Sequence, residues 1–458
     1  MTSPSGVGRV AIIGGGVAGA AAAIRLNHLG CDVSLFERRV FPREKVCGCC
    51  LGFAGLKALD AIGLGDSVRD IGHPLTQFDG RMIQPNNRPT KRFCVPIASG
   101  RSIGRGQLDT LMLERARKLG VTIHQPAEAR ISDSTNPNQP IIRWRRVNAA
   151  RNDSQSKNDS QSKNESPNPW QEPLGFDLII VACGLNGNVF DRRQSGTKSA
   201  RENPSSLPWI SPPHGPMGIS AQISASHDLA KSWRIEENAI QMICSDVGYL
   251  GVVRLPCGGL DLAAAIQRPV PNASRIKRST TDANPIRFWD PVGTMIESAN
   301  CLQKSEKRPD PLIHWMTRDA RWMATPPLRR RRVVGRGGVV LIGDAAGYVE
   351  PLTGEGMTWA IESGIAVADA WFEHRSSDTL KTQSNESFAA FWQRRRQRLL
   401  RRRMFVCDVV TRAFRYRWFR SAACGALARR PGLSRPLIWS LASGPKLPNS
   451  TALSPNRP

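Results

Sequence analysis

"RVAIIGGGVAGAAAAIRLNHLGCDVSLFER", Arg9 to Arg38, is the stretch on which the fold turns. "RVAII" is a short apolar strand. It runs straight into Gly14, Gly16 and Gly19, spaced G-x-G-x-x-G, and then into a helix of small residues that stops at Gly30. "CDVSLFER" follows as a second strand with Glu37 near its end. The unit is strand, helix and strand within roughly 30 residues. Gly14 permits the tight turn, Gly16 lets backbone approach a pyrophosphate, and Gly19 lets helix and strand pack closely. The first helical turn, with Val17 and Ala18, offers free N–H groups and a partial positive charge to the phosphates. Glu37, about 20 residues on and followed by Arg38, stands where an acid accepts hydrogen bonds from a ribose diol. These residues predict an α/β protein with a Rossmann-like dinucleotide-binding domain.

The choice between NAD and FAD falls to the other end of the chain. "GVVLIGDAAGYVEPLTGEGMTWAIESG", residues 338–364, is a buried strand, a Gly-rich turn and a long helix. Asp344 at the strand end suits a ribityl hydroxyl. The helix start at Gly354, Gly356 and Met357 offers N–H groups to a phosphate, or to a flavin carbonyl that gains negative charge on reduction. A site built from both ends of the chain suits an extended FAD.

Between these ends the 458 residues leave room for two or three domains. A second strand–helix theme is expected at Leu108–Leu119 and "VTIHQ", and a buried strand at "FDLIIVACG", 176–184. The FAD domain is predicted to comprise 1–72, 101–192 and 333–387. The polar stretch 132–173, with "NDSQSK" twice in tandem, is read as a disordered loop that carries no chemistry. Residues 73–100 and 193–332 are read as an inserted substrate domain with a mostly antiparallel sheet, in which "GYLGVVRL" and "GLDLAAAI" pair. Residues 388–458 are read as a basic helical tail. The formal charge of +26 attracts anionic partners without choosing among them. Eleven cysteines, mostly scattered, do not make a secreted disulfide framework. With no signal peptide and no run of about 18 apolar residues, the expected location is the cytoplasm.

With the two glycine motifs, "REKVCG" (43–48) and "SIGRGQLDTLMLERARKLGV" (102–121), the chain resembles the FAD-dependent oxidoreductases of the p-hydroxybenzoate hydroxylase fold. Its K-x-C-G is similar to the geranylgeranyl-reductase-like branch. The resemblance runs discontinuously from about residue 8 to 375. It implies that Gly14, Gly16 and Gly19 hold the FAD pyrophosphate and Glu37 the adenosine ribose. It places Arg43, Lys45 and Gly48 near the flavin or its phosphates, brings Arg105 to the FAD from the second segment, and puts Asp344 at the ribityl–pyrophosphate region. Pro351 and Gly354–Met357 would line the isoalloxazine. Family hydroxylases carry Asp-Gly where this chain has Cys183–Gly184, which counts against a hydroxylase-style NAD(P)H cycle.

The activity implied is reduction or dehydrogenation of C–C double bonds in a lipophilic, isoprenoid- or polyketide-like substrate. An FAD- and NAD(P)H-dependent aromatic monooxygenase is the alternative, and a flavin-binding redox sensor or interaction protein a third class. NAD(P)H stays open as electron donor. Cys47, in the cluster Cys47, Cys49 and Cys50, is the candidate catalytic residue: a thiol wall at the flavin, or a proton donor whose pKa Lys45 lowers. A Cys47–Cys50 redox pair and plain packing remain the other readings. The cluster is too tight to wrap a zinc ion, and no metal site is expected. The following helix should bury Phe53, Leu56 and Leu59. The run Trp392–Arg420 holds one acid, Asp408. It could lie on an anionic membrane with arginines outward and Leu, Phe and Trp inward, or cover the substrate domain as a solvated helix. Nucleic acid is disfavoured, since no recognised module is present.

Overall fold

The computed structural model describes residues 8–84, 88–132, 136, 139–148, 168–185, 189–190, 207, 209–210, 215–267, 290–302, 310–350, 352, 354–376, 387–442 and 444. Its first sheet runs, in spatial order, β18 (Gly335–Arg336), β19 (Val339–Leu341), β10 (Leu178–Val181), β1 (Arg9–Ile13), β2 (Asp32–Phe36) and β6 (Thr122–His124). All pairings are parallel except that of edge strand β18. Val10, Ile12 and Leu178–Val181 are inaccessible, as strands covered on both faces must be. Helix α1 (Val17–His28) packs on α8 (Gly356–Ser376) and α4 (Arg105–Lys118). Small residues make this close approach possible: a Cβ on Gly364 would stand 2.3 Å from the Ala18 carbonyl oxygen, and one on Gly19 would stand 1.9 Å from that of Gly14.

The second sheet runs β16 (Met323–Pro327), β12 (Met217–Ile223), β15 (Leu260–Ile266), β14 (Gly248–Arg254), β13 (Ala239–Cys244), β4 (His73–Met82), β5 (Lys91–Ser102) and β3 (Cys50–Leu51). It is antiparallel except where β13 meets β4. The period of two along each strand gives it two unlike faces. One carries Ile219, Ala221, Leu250 and Leu262 into a core with Trp233 and Trp315. The other carries Gln222, Asp261, Met242 and Phe93 toward the loop before β3 and the C-terminal helices. Two small sheets complete the fold: β7 (Ala127–Ser132), β8 (Ile141–Arg146) and β9 (Leu174–Gly175), and β11 (Trp209–Ile210), β17 (Arg330–Arg332) and β20 (Gly347–Tyr348).

Two expectations need correction. Within 132–173, read as a loop, residues 141–146 form β8. Glu128 on β7 accepts from Arg145 across the pair at 2.7 Å, and the Trp170 ring covers the Arg145 guanidinium at 4.7 Å. This polar stretch is held by charge and cation–π contact rather than by an apolar core; the tandem repeats lie outside the described residues. In α2 (Phe53–Asp60), Leu56 and Leu59 are buried, but Phe53 is 38% exposed, with Lys57 over its ring. The tail forms α9 (Phe388–Ala413), α10 (Arg417–Arg429) and α11 (Arg435–Ala442), and its indole at Trp392 is turned into the fold. Trp392 is inaccessible, its Nε1 donating to the Leu341 carbonyl at 3.0 Å.

Arg403 is likewise turned inward. It donates to Glu362 at 2.6 Å and also to Glu355, and all three are buried. Burial pushes the Glu362 carboxyl up to about 7 and also raises Glu355, while Arg403 opposes both shifts. No helix of the described residues is long and apolar enough to cross a membrane. Arg403→Ala strands two carboxylates and should cost about 3–5 kcal/mol in urea unfolding. The deficit should shrink as pH falls, because the stranded carboxyls take up protons in the folded state before the unfolded one does. An unchanged midpoint, or a deficit that grows with acid, would refute this account of the tail's attachment.

Candidate active site

The loop between β1 and α1 is built around an acid and a set of cations. Glu37, buried at the end of β2, accepts from the Gly15 N–H at 2.7 Å and the Arg39 N–H at 2.8 Å. A carboxylate has about four lone-pair sites, so Glu37 keeps capacity for a further donor. Arg38 beside it is exposed. Gly16 caps α1 with no side-chain hydrogen bond, which leaves first-turn N–H groups of the helix open. A Cβ on Gly16 would stand 3.2 Å from Lys45 Nζ and 3.7 Å from Arg105 Nη2.

Asp109 holds both cations there. Fully buried on α4, it accepts from Lys45 at 2.5 Å and from Arg105 one helical turn away at 3.0 Å. Burial works against its charge, but Arg105 and Lys45 outweigh burial and hold the carboxyl below its usual range. Burial pulls Lys45 down despite the pull of Asp109. Arg43 lies in the same field, lowered by burial, and its buried Nε has no hydrogen-bond partner among the described residues. Two cations facing the positive end of a helix, with a third beside them, exceed the single charge of Asp109 and leave a positive remainder that a further anion would balance. Donors and charge therefore fit the pyrophosphate of FAD, and the crowded glycines fit its backbone cradle.

Both ends of the chain reach this site. Gly343, at φ +54, sets its Cβ direction 3.0 Å from Ala18, and its N–H donates to Ser363. Asp344 follows, its carboxyl raised to about 6 chiefly by burial, with Arg105 and Lys45 opposing. Gly356 lies beside Tyr348, Met357 is buried, and a Cβ on Gly354, at φ +72, would stand 3.7 Å from the Cys50 Cβ. Pro351 lies outside the described residues. Gly184 follows Cys183 at φ +69, so the turn is kept without the acid.

Cys47 sits where this cluster meets the second sheet. A hydrogen bond from the Cys49 thiol holds it down near about 6, against burial, and Arg105 adds to the effect. The cause is thus not Lys45, which is engaged by Asp109. Cys49 is pushed up by that same hydrogen bond and by burial, and burial raises Cys50. Cys50 donates to the Gly48 carbonyl at 2.9 Å, and none of the eleven cysteines is in a disulfide in this structure. Gly48 is exposed, and a Cβ on it would stand 3.9 Å from the Ala263 Cβ on β15. Next to Ala263's neighbour, Asp261 is buried and accepts from Gln222 at 3.0 Å, and it also takes part in a hydrogen bond with Cys49. Burial, then the Cys47 charge, pushes it well above the carboxylate range, and its Oδ2 has no partner among the described residues. Cys47 is thus held down and Asp261 pushed up, with Cys49 between them.

Sequence reasoning missed two of these residues. Asp109 was legible as the acid of "RGQLD", four residues after Arg105 on a helix. Asp261 had a weaker signal, the lone acid in the apolar strand "LDLAAAI".

Residues 8–152 match the family model described as an FAD binding domain. Two kynurenine 3-monooxygenases are similar over part of the chain. That of Flavobacterium johnsoniae is 28% identical over 121 residues, 25% of this chain and 27% of that protein. That of Anopheles gambiae is 33% identical over 120 residues, 24% of each. The chain thus spans about a quarter of the length of the curated relatives it matches. Among solved structures, a flavoprotein/dehydrogenase from Cytophaga hutchinsonii superposes with a TM-score of 0.62 at 16% identity, over 95% of this chain and 92% of that one. The architecture is that of FAD-binding flavoproteins: a Rossmann-like domain, an inserted antiparallel sheet and C-terminal helices.

Proposed function

We propose that the protein is an FAD-dependent oxidoreductase of the monooxygenase type, acting on an electron-rich aromatic ring with NAD(P)H as donor. The observation that carries the flavin reading is the convergence of Lys45, Arg105 and the open α1 N-terminus on Gly16, within the segment that matches an FAD binding domain. The kynurenine 3-monooxygenase matches favour the monooxygenase over the reductase expected from K-x-C-G. FAD, when bound, supplies two-electron transfer between a donor and either oxygen or the substrate.

The residues of the chain would divide the remaining work. Gly14, Gly16 and the α1 N–H groups bind the pyrophosphate, with Lys45 and Arg105 neutralising it. Glu37 orients the ribose end and Asp344 the ribityl end. Cys47, as thiolate, takes the proton of a phenolic or similar group, which raises the electron density of the ring. Asp261, held neutral, donates a hydrogen bond from the sheet side. Pushing two neighbouring groups apart in pKa is how one site keeps a base and an acid near neutral pH. The reductase reading keeps one support: a thiol at Cys47 also suits protonation of a carbon next to the flavin.

Purified protein should be yellow. Gly16→Asp should fold yet be colourless, because its carboxylate lands on Lys45 and Arg105 and occupies the anion site itself. A colourless wild type after FAD reconstitution would remove the flavin reading. Kynurenine and p-nitrophenol serve as aromatic probes, turned over with NADPH under isotopically labelled oxygen. A product carrying one labelled atom is expected; a saturated product without label from a lipophilic alkene probe would favour the reductase. The thiolate is tested by alkylation with iodoacetamide and peptide mapping. Cys47 should react with a midpoint at about pH 6, its rate rising with pH through that value, while Cys49 and Cys50 stay unmodified there. A Cys47 midpoint at the ordinary thiol value of about 8.5 would refute its role as a base.

A further inference from the structure

Among the described residues, half of the twelve exposed large apolar side chains lie on the last three helices or the turns joining them: Phe405, Val409, Tyr416, Trp418, Leu433 and Trp439. Phe405, Trp418 and Trp439 are 68%, 72% and 62% exposed. On α9 the outward side chains recur at helical spacing: Arg394, Arg398, Arg401 with Arg402, Phe405, Val409 and Arg412 are all exposed. Steps of three and four residues put them on one stripe. Arg402 lies over the Trp439 ring at 5.5 Å, which joins α11 to the stripe.

The charge along this segment is one-sided. Residues 388–442 hold fourteen arginines and one acid, Asp408. Inward arginines are consumed by the fold: Arg403 by Glu355 and Glu362, and Arg415 by Glu350. The opposite side keeps Arg398 and Arg401 in solvent beside Phe405 and Val409. The helices are already anchored by Trp392, Arg403, Cys407 and Thr411, so the stripe is surplus to folding.

We infer that the outer face of α9–α11 docks on an anionic phospholipid surface, with Phe405, Val409 and Trp418 entering the acyl boundary and the exposed arginines meeting lipid phosphates. A helix that lies in the interface has this composition: large apolar groups on a stripe flanked by cations, at low overall hydrophobicity. Cationic side chains at such a surface are attracted within a Debye length, about 8 Å at physiological salt. Val409 and Leu433 favour lipid over nucleic acid, since base stacking uses aromatic and guanidinium planes. The docking surface is separate from the flavin loop. The inward sides of the same helices, through Val410, Phe414, Cys424 and Leu427, pack with Phe93, Met242 and Tyr249 of the second sheet.

The test is co-sedimentation of the flavin-loaded chain with vesicles of phosphatidylcholine alone or with added phosphatidylserine. Binding is expected to the mixed vesicles only, falling as salt is raised. Phe405→Ser with Trp418→Ser should lower partitioning by about tenfold or more, the scale of withholding large apolar side chains from burial. Arg398→Gln with Arg401→Gln should lower it as well, and both variants should keep the wild-type flavin spectrum. Should the serine pair misfold, the glutamine pair carries the test alone. Absence of binding at low salt overturns the proposal, as does equal binding to uncharged vesicles or wild-type partitioning of the variants. Retention on a single-stranded RNA oligonucleotide at a salt concentration that releases the vesicles would overturn it in favour of nucleic acid.

Discussion

Asp109 is a single buried carboxylate that takes a lysine on one oxygen and an arginine on both, and aims the two at the positive end of a helix. In water such pairs contribute little; fully buried, removal of one partner is costly because the others are left without compensation. The local balance is roughly +1 from Lys45, +1 from Arg105, −1 from Asp109 and about +0.5 from the helix. The remainder is positive and points at a glycine that has no side chain to fill the space. Each element nearby depends on this constraint. α4 must present Asp109 toward α1. The loop from Phe41 to Gly48 must bring Lys45 back over Gly16, which places Cys47 two residues on, against the second sheet.

The arginine-rich tail is governed by the same physics, with a different outcome along each face. Glu350, Glu355 and Glu362 come from the loop and first turns of α8, and each meets an arginine of α9 or the turn after it. Buried ion pairs of this kind add little net stability against apolar packing, but a wrong register would strand several charges at once. They fix where α9 lies. A run of arginines is thus two sets that a composition count cannot separate: one spent on carboxylates inside, the other facing out.

The local parts of the fold were legible. β1, α1, β2 and the Gly343–Asp344 turn follow from residues within a few positions of each other, and the β14–β15 hairpin reads from adjacent apolar strands. What failed needed partners far along the chain. The parallel pairing of β13 with β4 joins strands about 160 residues apart, beyond any local pattern. β8 looked like loop because its stabilising partners are Glu128 and Trp170, neither of which marks a strand by itself. Whether Trp392 faced lipid or packed on the fold stayed open in the sequence, because its acceptor, the Leu341 carbonyl, belongs to a distant strand. Phe53 sits at an apolar helix position yet stays partly in water, its ring covered by Lys57. In the site, the glycine loop and the acids near it follow from spacing; the Cys47–Cys49–Asp261 chain does not, since it joins a loop to a strand more than 200 residues later.

That chain also sets how three cysteines are arranged on one loop. Cys49 adopts φ +48, a left-handed backbone that non-glycine residues occupy at a cost. The conformation turns its buried thiol toward Cys47 and Asp261, while Cys50 turns to the Gly48 carbonyl. The thiol of Cys49 therefore acts as a donor to Cys47 rather than as a second nucleophile, and its own pKa rises as that of Cys47 falls. Arg105 closes the circuit: it serves the Cys47 sulfur and Asp109 with one guanidinium, so charge at the phosphate end and charge at the thiol are not independent. An anion at Gly16 draws on the same guanidinium that stabilises the thiolate. Charge beside Gly16 and charge on Cys47 in this way share one guanidinium.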